Sequence, residues 1–232
     1  MLEQELHWER SLFFFLNGSE SAFWDQFFYL YSDKWIWLPF YACFLGVFFY
    51  KKQWKEGLLL VLALFLLVLL CDQIASGVFK PLFHRFRPTH HPDFEMQVKT
   101  VLGYRGGRYG FISGHAANAF GLAGFTALIF RNKWFSVMIF CFATINAYSR
   151  VYLGVHFISD VVAGALLGLL CAWTVFLLYR LTRQKCLFPD KPETGLFCFP
   201  KQEIYFLCLI YCLFIANLLL FNNQLFTAIQ KI

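Results

Sequence analysis

From Gly57 to Phe79 the chain is almost wholly apolar and contains the run LLLVLALFLLVLL. At about 1.5 Å per residue, a helix over this stretch crosses the roughly 30 Å hydrocarbon core of a bilayer. Lipid offers no partner to backbone N–H and C=O groups, so a crossing segment must satisfy them internally as a helix. Five further apolar stretches repeat the pattern: about Trp35 to Tyr50, Gly114 to Phe130, Trp134 to about Tyr148, about Phe157 to Tyr179, and Ile204 to Phe221. The first of these reaches back toward Phe27–Tyr31 across the interruption at Asp33 and Lys34. None shows the apolar/polar alternation of a membrane barrel strand. The sequence therefore predicts an all-α integral membrane bundle of about six transmembrane helices. It reads as a single domain over 1–232, with residues 1–31 as an interfacial N-terminal segment.

Composition agrees. Charged residues make up 15% of the chain, where soluble domains carry roughly 25%. The formal charge of +6 sits largely in short connections between apolar runs, where basic residues set membrane orientation. No nucleic-acid partner is expected. The N-terminus, MLEQELHWERSLFFFLNG, lacks a basic leader and a small-residue cleavage site, and Leu2, Leu6 and Phe13 suggest a helix lying in the interface. Cys43, Cys71, Cys141, Cys171, Cys208 and Cys212 fall inside apolar runs and are expected to act as small buried hydrophobes; Cys186 and Cys198 lie in a polar connection. No CxxC pair or Cys/His metal spacing occurs.

With six crossings, the loop 80–113 shares a side with the N-terminus, the connection near Arg150 and the C-terminus. Lys and Arg divide ten to ten between the two sides. Setting aside Lys80, Arg87 and Arg150 as site residues leaves the opposite side richer, with its charges in short connections, so that side is read as cytoplasmic. The loop 80–113 then faces outward.

Three segments carry chemistry. Lys80 is followed after six residues by Arg87-Pro88; Ser113-Gly114-His115 opens the third crossing; and Arg150, preceded by Ser149, comes six positions before His156, with Asp160 four beyond it. A helix beginning near His156 would place Asp160 one turn along, where its carboxylate can accept one imidazole hydrogen and leave the other nitrogen's lone pair free. Such a histidine can act as a nucleophile, base or ligand. Ser113 and Gly114 at a helix N-terminus offer backbone N–H groups to an anion. Lys80, Arg87 and Arg150 add cations, and the arginine fork suits phosphate. All these residues emerge on one side of the bundle. Gly164 and Gly168 form GxxxG and, with Ala116, Ala117, Ala119, Gly121 and Ala123, predict close helix packing that would fix the two histidines. Asp72 is expected to anchor a neighbouring helix. His84, His90 and His91 complete no metal pattern and are read as interfacial or substrate-entrance residues, while the Gly-rich stretch Gly103–Gly110 is read as a headgroup contact.

These segments resemble the signature of the type 2 phosphatidic acid phosphatase (PAP2) superfamily: Lys-six-Arg-Pro, Pro-Ser-Gly-His, and Ser-Arg-five-His-three-Asp. The first and third match in full. The second departs once, with Ile112 in place of Pro. The resemblance spans about Asp72 to Gly164. It implies a phosphoric ester or diphosphate hydrolase in the lipid metabolism of the cell envelope. In it His156 forms a phosphohistidine, Asp160 orients His156, and His115 protonates the leaving oxygen and then activates water. Lys80, Arg87, Arg150 and the backbone around Ser113 and Gly114 would hold the phosphoryl oxygens. It implies no metal and no cofactor. The substrate would be a lipid phosphate whose tail stays among membrane lipids: undecaprenyl diphosphate or lipid A phosphate from an outward-facing site of a bacterial inner membrane, or alternatively phosphatidylglycerophosphate. A non-enzymatic anion transporter and a haloperoxidase-like oxidation on vanadate are the rival readings.

Overall fold

A computed structural model describes residues 7–50, 53–187, 189 and 199–229. The chain runs through α1 (His7–Asn17), α2 (Ala22–Ser32), α3 (Leu38–Phe49), α4 (Trp54–Asp72), α5 (Lys80–Phe83), α6 (Gly114–Phe130), α7 (Lys133–Tyr152), α8 (Ile158–Thr182), α9 (Lys201–Leu220) and α10 (Asn222–Ile229). A π-helical stretch, Gln73–Phe79, joins α4 to α5, so the second crossing is one continuous helix over Trp54–Phe83. It is longer at both ends than the expected Gly57–Phe79. Among the described residues, three helices are long and apolar enough to cross a membrane: Trp54–Phe83, Ile158–Leu187 and Lys201–Leu220. The chain is an all-helical integral membrane protein.

α6 and α8 lie against each other at the centre because small residues remove the side chains between them. A Cβ on Gly164 would collide with the Ser113 carbonyl, and one on Gly168 with the Ala117 carbonyl. The latter would also stand 2.8 Å from the Gly121 nitrogen. On the facing helix Ala116, Ala117, Ala119, Gly121 and Ala123 are buried. α4 closes this group, with Cys71 Sγ 3.7 Å from the Ala117 carbonyl. The Asn118 amide donates to Asp72 at 2.8 Å, which is the helix anchor expected of that aspartate.

The first crossing is two helices, interrupted where Asp33 and Lys34 fall. α2 descends from a level where Asp25 accepts from the Tyr152 hydroxyl to one where the Tyr31 hydroxyl donates to the Phe142 carbonyl. α3 continues to Phe48, which stacks on Phe130 at the far end. The segment expected in the interface over 1–31 is thus only partly there: α2 enters the bundle. Leu2 and Leu6 lie outside the described residues. α1 is held against the bundle by Phe13 and Glu9, both buried. Of the cysteines expected to be buried, Cys71 and Cys171 are, Cys43 and Cys208 are partly so, and Cys141 and Cys212 face outward. A thiol on the lipid side of a spanning helix meets an apolar medium as it would in a core, so an apolar run alone does not say which face it occupies. Cys198 lies outside the described residues.

Candidate active site

The loop between α5 and α6 is tied into a compact lid by main-chain bonds. Arg87 N–H donates to the Arg108 carbonyl at 3.0 Å, and Gly110 N–H to the Arg85 carbonyl at 2.9 Å. The Thr89 hydroxyl donates to the Arg105 carbonyl at 2.8 Å. Within the Gly-rich stretch, Gly106 and Gly110 pack on Arg87, and a Cβ on Gly110 would stand 3.0 Å from Asp160 Oδ2. These glycines let the loop press the arginine against the residues that follow α7.

His156 lies in the turn between α7 and α8, almost fully buried. Its backbone N–H donates to the Arg150 carbonyl at 3.2 Å, which couples the two residues of the motif. Arg87 Nη1 stands 3.0 Å from His156 Nε2. A guanidinium donates and cannot accept, so Nε2 carries the lone pair and the ring is the Nδ1–H tautomer. The same Nη1 donates to the Val155 carbonyl at 3.1 Å, and Nε donates to the Tyr109 carbonyl at 3.2 Å. His156 Nδ1 lies 3.4 Å from Asp160 Oδ2. It is buried, and no contact among the described residues has hydrogen-bond geometry.

The helix begins at Ile158, after His156, and Asp160 sits in its first turn. Its Oδ2 accepts the Phe157 N–H at 3.0 Å, so the carboxylate reaches back as an N-terminal cap and meets the imidazole from there. Burial pulls the His156 imidazole well below its usual range, and Arg87, Arg150 and Lys80 push it further. The nearby Gly110 backbone opposes them. Burial, then the neighbouring Arg150, also lower Arg87, to about 10, which leaves it charged at neutral pH.

A cavity of about 630 Å³ opens beside these groups, lined at this end by His156, His115, Arg87, Lys80 and Gly114. Lys80 Nζ folds back to the Ser76 hydroxyl at 3.1 Å. Ser113 differs from expectation. Its hydroxyl accepts the Ala116 N–H at 3.4 Å as the cap of α6, and its own N–H donates to the Asp160 carbonyl at 3.0 Å. It is occupied in holding α6 to α8 and does not line the cavity. The N–H groups of Gly114 and His115, in the first turn of α6, have no intrahelical acceptor. Arg150 is buried behind the cavity wall, where Nη2 donates to the Tyr104 hydroxyl at 2.8 Å and Nε has no partner among the described residues. In the loop after α5, the His84 ring meets Tyr109 edge-on, His91 stacks on Phe94 at 4.1 Å, and His90 Nδ1 is 3.2 Å from the Thr89 hydroxyl.

Two residues went unmarked in the sequence. Arg85 Nη1 donates to Asp160 Oδ1 at 2.7 Å, and Arg85 Nη2 to Glu9 Oε2 at 2.8 Å. Glu9 Oε1 accepts the Ser159 N–H at 2.6 Å. Arg85, Glu9 and Asp160 are all buried. Its only sequence signals were an acid on the apolar face of α1 and a third cation beside Arg87.

The PAP2 superfamily model matches residues 56–184, more than half of the chain. The lipid A 4'-phosphatase of Porphyromonas gingivalis is 44% identical over 229 residues, covering 99% of this chain and 97% of the relative. That of Bacteroides thetaiotaomicron is 40% identical over 190 residues, 81% and 83% of the two chains. The crystal structure of Aquifex aeolicus LpxE superposes with a TM-score of 0.59 at 26% identity, covering 76% of this chain and 99% of that one. Family model, relatives and fold agree, and the chain belongs to the PAP2 superfamily as a membrane-embedded phosphoric ester hydrolase acting on lipid phosphates.

Proposed function

We propose that the protein removes a phosphate monoester from lipid A, at the 4' position, with its active site facing the periplasm from the inner membrane. Similarity to the lipid A 4'-phosphatases along nearly the whole chain supports this substrate over undecaprenyl diphosphate or phosphatidylglycerophosphate. The distribution of basic residues supports the orientation. Similarity to these phosphatases also leaves no reason to prefer a transporter.

The observation that carries the mechanism is the His156 ring, held as the Nδ1–H tautomer with its Nε2 lone pair against Arg87 on the cavity wall. An incoming phosphoryl group accepts the Arg87 N–H in place of Nε2 and so releases the lone pair. Nε2 then attacks phosphorus. The N–P bond forms as the bond to the lipid oxygen breaks, and His115 gives that oxygen its proton. In the second step His115 takes a proton from water, the water oxygen bonds to phosphorus, and the N–P bond breaks to release inorganic phosphate. Arg87, Lys80 and the free N–H groups of Gly114 and His115 hold the equatorial oxygens. Asp160 stabilises the positive charge that develops on His156. Arg150 acts from behind the wall.

Purified protein in detergent should release phosphate from lipid A, and the 4' site should be the one lost by mass spectrometry. Rapid acid-free quenching with ³²P-labelled lipid A should trap a base-stable, acid-labile phosphoprotein that is absent from His156→Ala. Full turnover by His156→Ala, or release from undecaprenyl diphosphate with lipid A left intact, would overturn the reading.

A further inference from the structure

The break between α2 and α3 lies in the middle of the membrane-embedded bundle. Tyr31 and Trp37 bracket it. The Tyr31 hydroxyl bonds to the Phe142 carbonyl and to the Tyr211 hydroxyl. The Trp37 ring packs on Phe142 at 4.6 Å, and its indole N–H donates back to the Tyr31 carbonyl at 2.8 Å. Phe142 and Tyr211 are the middle residues of α7 and α9, each of 20 residues. Irregular backbone at such a depth is tolerated where it is packed in protein or lines a polar cavity. Here it does both. Asp33 closes the turn by accepting the Trp35 N–H at 3.0 Å. Lys34 extends into the same cavity that holds the two histidines.

Lys34 is an exposed residue at this break, and it lines the cavity. Among the described residues Lys34 has no acidic partner; its ammonium lies 5.0 Å from the centroid of the Trp35 ring. Asn146 lines the same cavity. This residue is 8% exposed. Asn146 lies four residues before Arg150 on α7, about 6 Å deeper along the helix. Below it the cavity becomes apolar, with Phe44, Leu64 and Leu122. From the phosphate end inward, the cavity is cationic, then polar, then hydrocarbon.

We propose that Lys34 and Asn146 form a subsite that donates hydrogen bonds to the acyl-linkage carbonyls of the lipid whose phosphate stands at His156. The order of the cavity matches an acylated lipid, in which ester or amide carbonyls lie a few bonds from the phosphorus. Beyond its phosphate a polyprenyl chain has no polar atom for these donors, and they would be left desolvated without an acceptor. The subsite therefore selects acylated lipid phosphates over prenyl ones. It rests on the reading of His156 as the phosphate site.

Two lipids that differ only in these carbonyls test it: dioleoyl phosphatidic acid and its di-ether analogue. Binding is measured to full-length His156→Ala protein in detergent, and turnover to the parent. The His156→Ala protein should bind the ester lipid about tenfold more tightly than the ether. Adding Lys34→Met or Asn146→Leu should bring ester binding down to the ether level and leave ether binding unchanged. Equal loss for both lipids would overturn the subsite and make Lys34 a second phosphate contact; no loss for either would overturn it outright. Turnover separates the two ideas. If the parent releases phosphate from neither lipid A nor phosphatidic acid, the catalytic reading fails, while the ester-to-ether binding ratio still decides the subsite.

Discussion

Arg85 holds the Asp160 carboxylate at 2.7 Å, on the side of that carboxylate turned away from His156. The same guanidinium bonds Glu9 of α1 at 2.8 Å, so one buried cation stands between two buried acids. Removing one partner of such a group leaves uncompensated charge, a loss of about 3–5 kcal/mol. Arg85→Met should therefore lower stability strongly and reduce kcat, because Asp160 loses the contact that fixes its orientation. Glu9→Gln combined with Arg85→Met should recover part of the melting temperature without recovering kcat. If the double variant regains both, Arg85 acts only as structural charge balance.

The pH dependence follows from His156, which lies outside the spanning helices. Attack requires the neutral ring. Because burial and the nearby cations lower its pKa from the usual 6.5, the neutral form persists into acid. The acidic limb of kcat/KM, corrected for titration of the substrate phosphate, should lie well below 6.5. Replacing Arg87 with Gln removes the strongest cationic contribution and should move that limb upward on the residual activity. A limb at or above 6.5 in the parent would show that His156 is charged in the resting site.

Much of this arrangement was legible in the sequence because it is local. Lys80 lies in the last turn of one helix and Arg87 just after it, His115 opens another, and Arg150 and His156 bound a single turn, so helix boundaries alone put them on one side. The Gly164–Gly168 pair announced the approach of α8 to α6 in the same way. Glu9 was not legible: its partners Arg85 and Ser159 are distant in sequence, and nothing near Glu9 specifies them. Ser113 was misread because a helix N-terminus suggests free N–H groups, whereas the Asp160 carbonyl takes this one. The interruption at Asp33 and Lys34 was visible, but its depth depends on Phe142 and Tyr211, which only the packed bundle brings to it.

Close packing of α6 on α8 holds His115 in register with His156, and it has no slack at Gly168. Adding a methyl there drives it into the Ala117 carbonyl and to 2.8 Å from the Gly121 nitrogen, all backbone that cannot swing aside. Gly168→Ala should cost at least the roughly 1–3 kcal/mol of core overpacking, seen as a lower melting temperature in detergent. Gly46→Ala, with no neighbour within 4 Å of the added carbon, should leave the melting temperature nearly unchanged.

Gly154 sets the turn that carries Arg150 to His156. Its φ is +74°, and a Cβ there would stand 2.7 Å from Val98 Cγ1 and 2.8 Å from the Lys99 carbonyl. Lys99 is itself pinned, since Asn17 donates to its carbonyl at 3.1 Å and accepts its N–H at 2.9 Å. The loop cannot retreat, so Gly154→Ala must shift the turn. Gly103 has a similar φ of +67°, but nothing lies within 4 Å of its added carbon. Both substitutions incur the left-handed backbone cost of about 1–2 kcal/mol. Only Gly154→Ala should also displace His156, so its kcat should fall at least tenfold while Gly103→Ala retains most activity. Equal kcat in the two variants would mean that the backbone conformation alone matters and that contact with the 98–99 segment does not place the nucleophile.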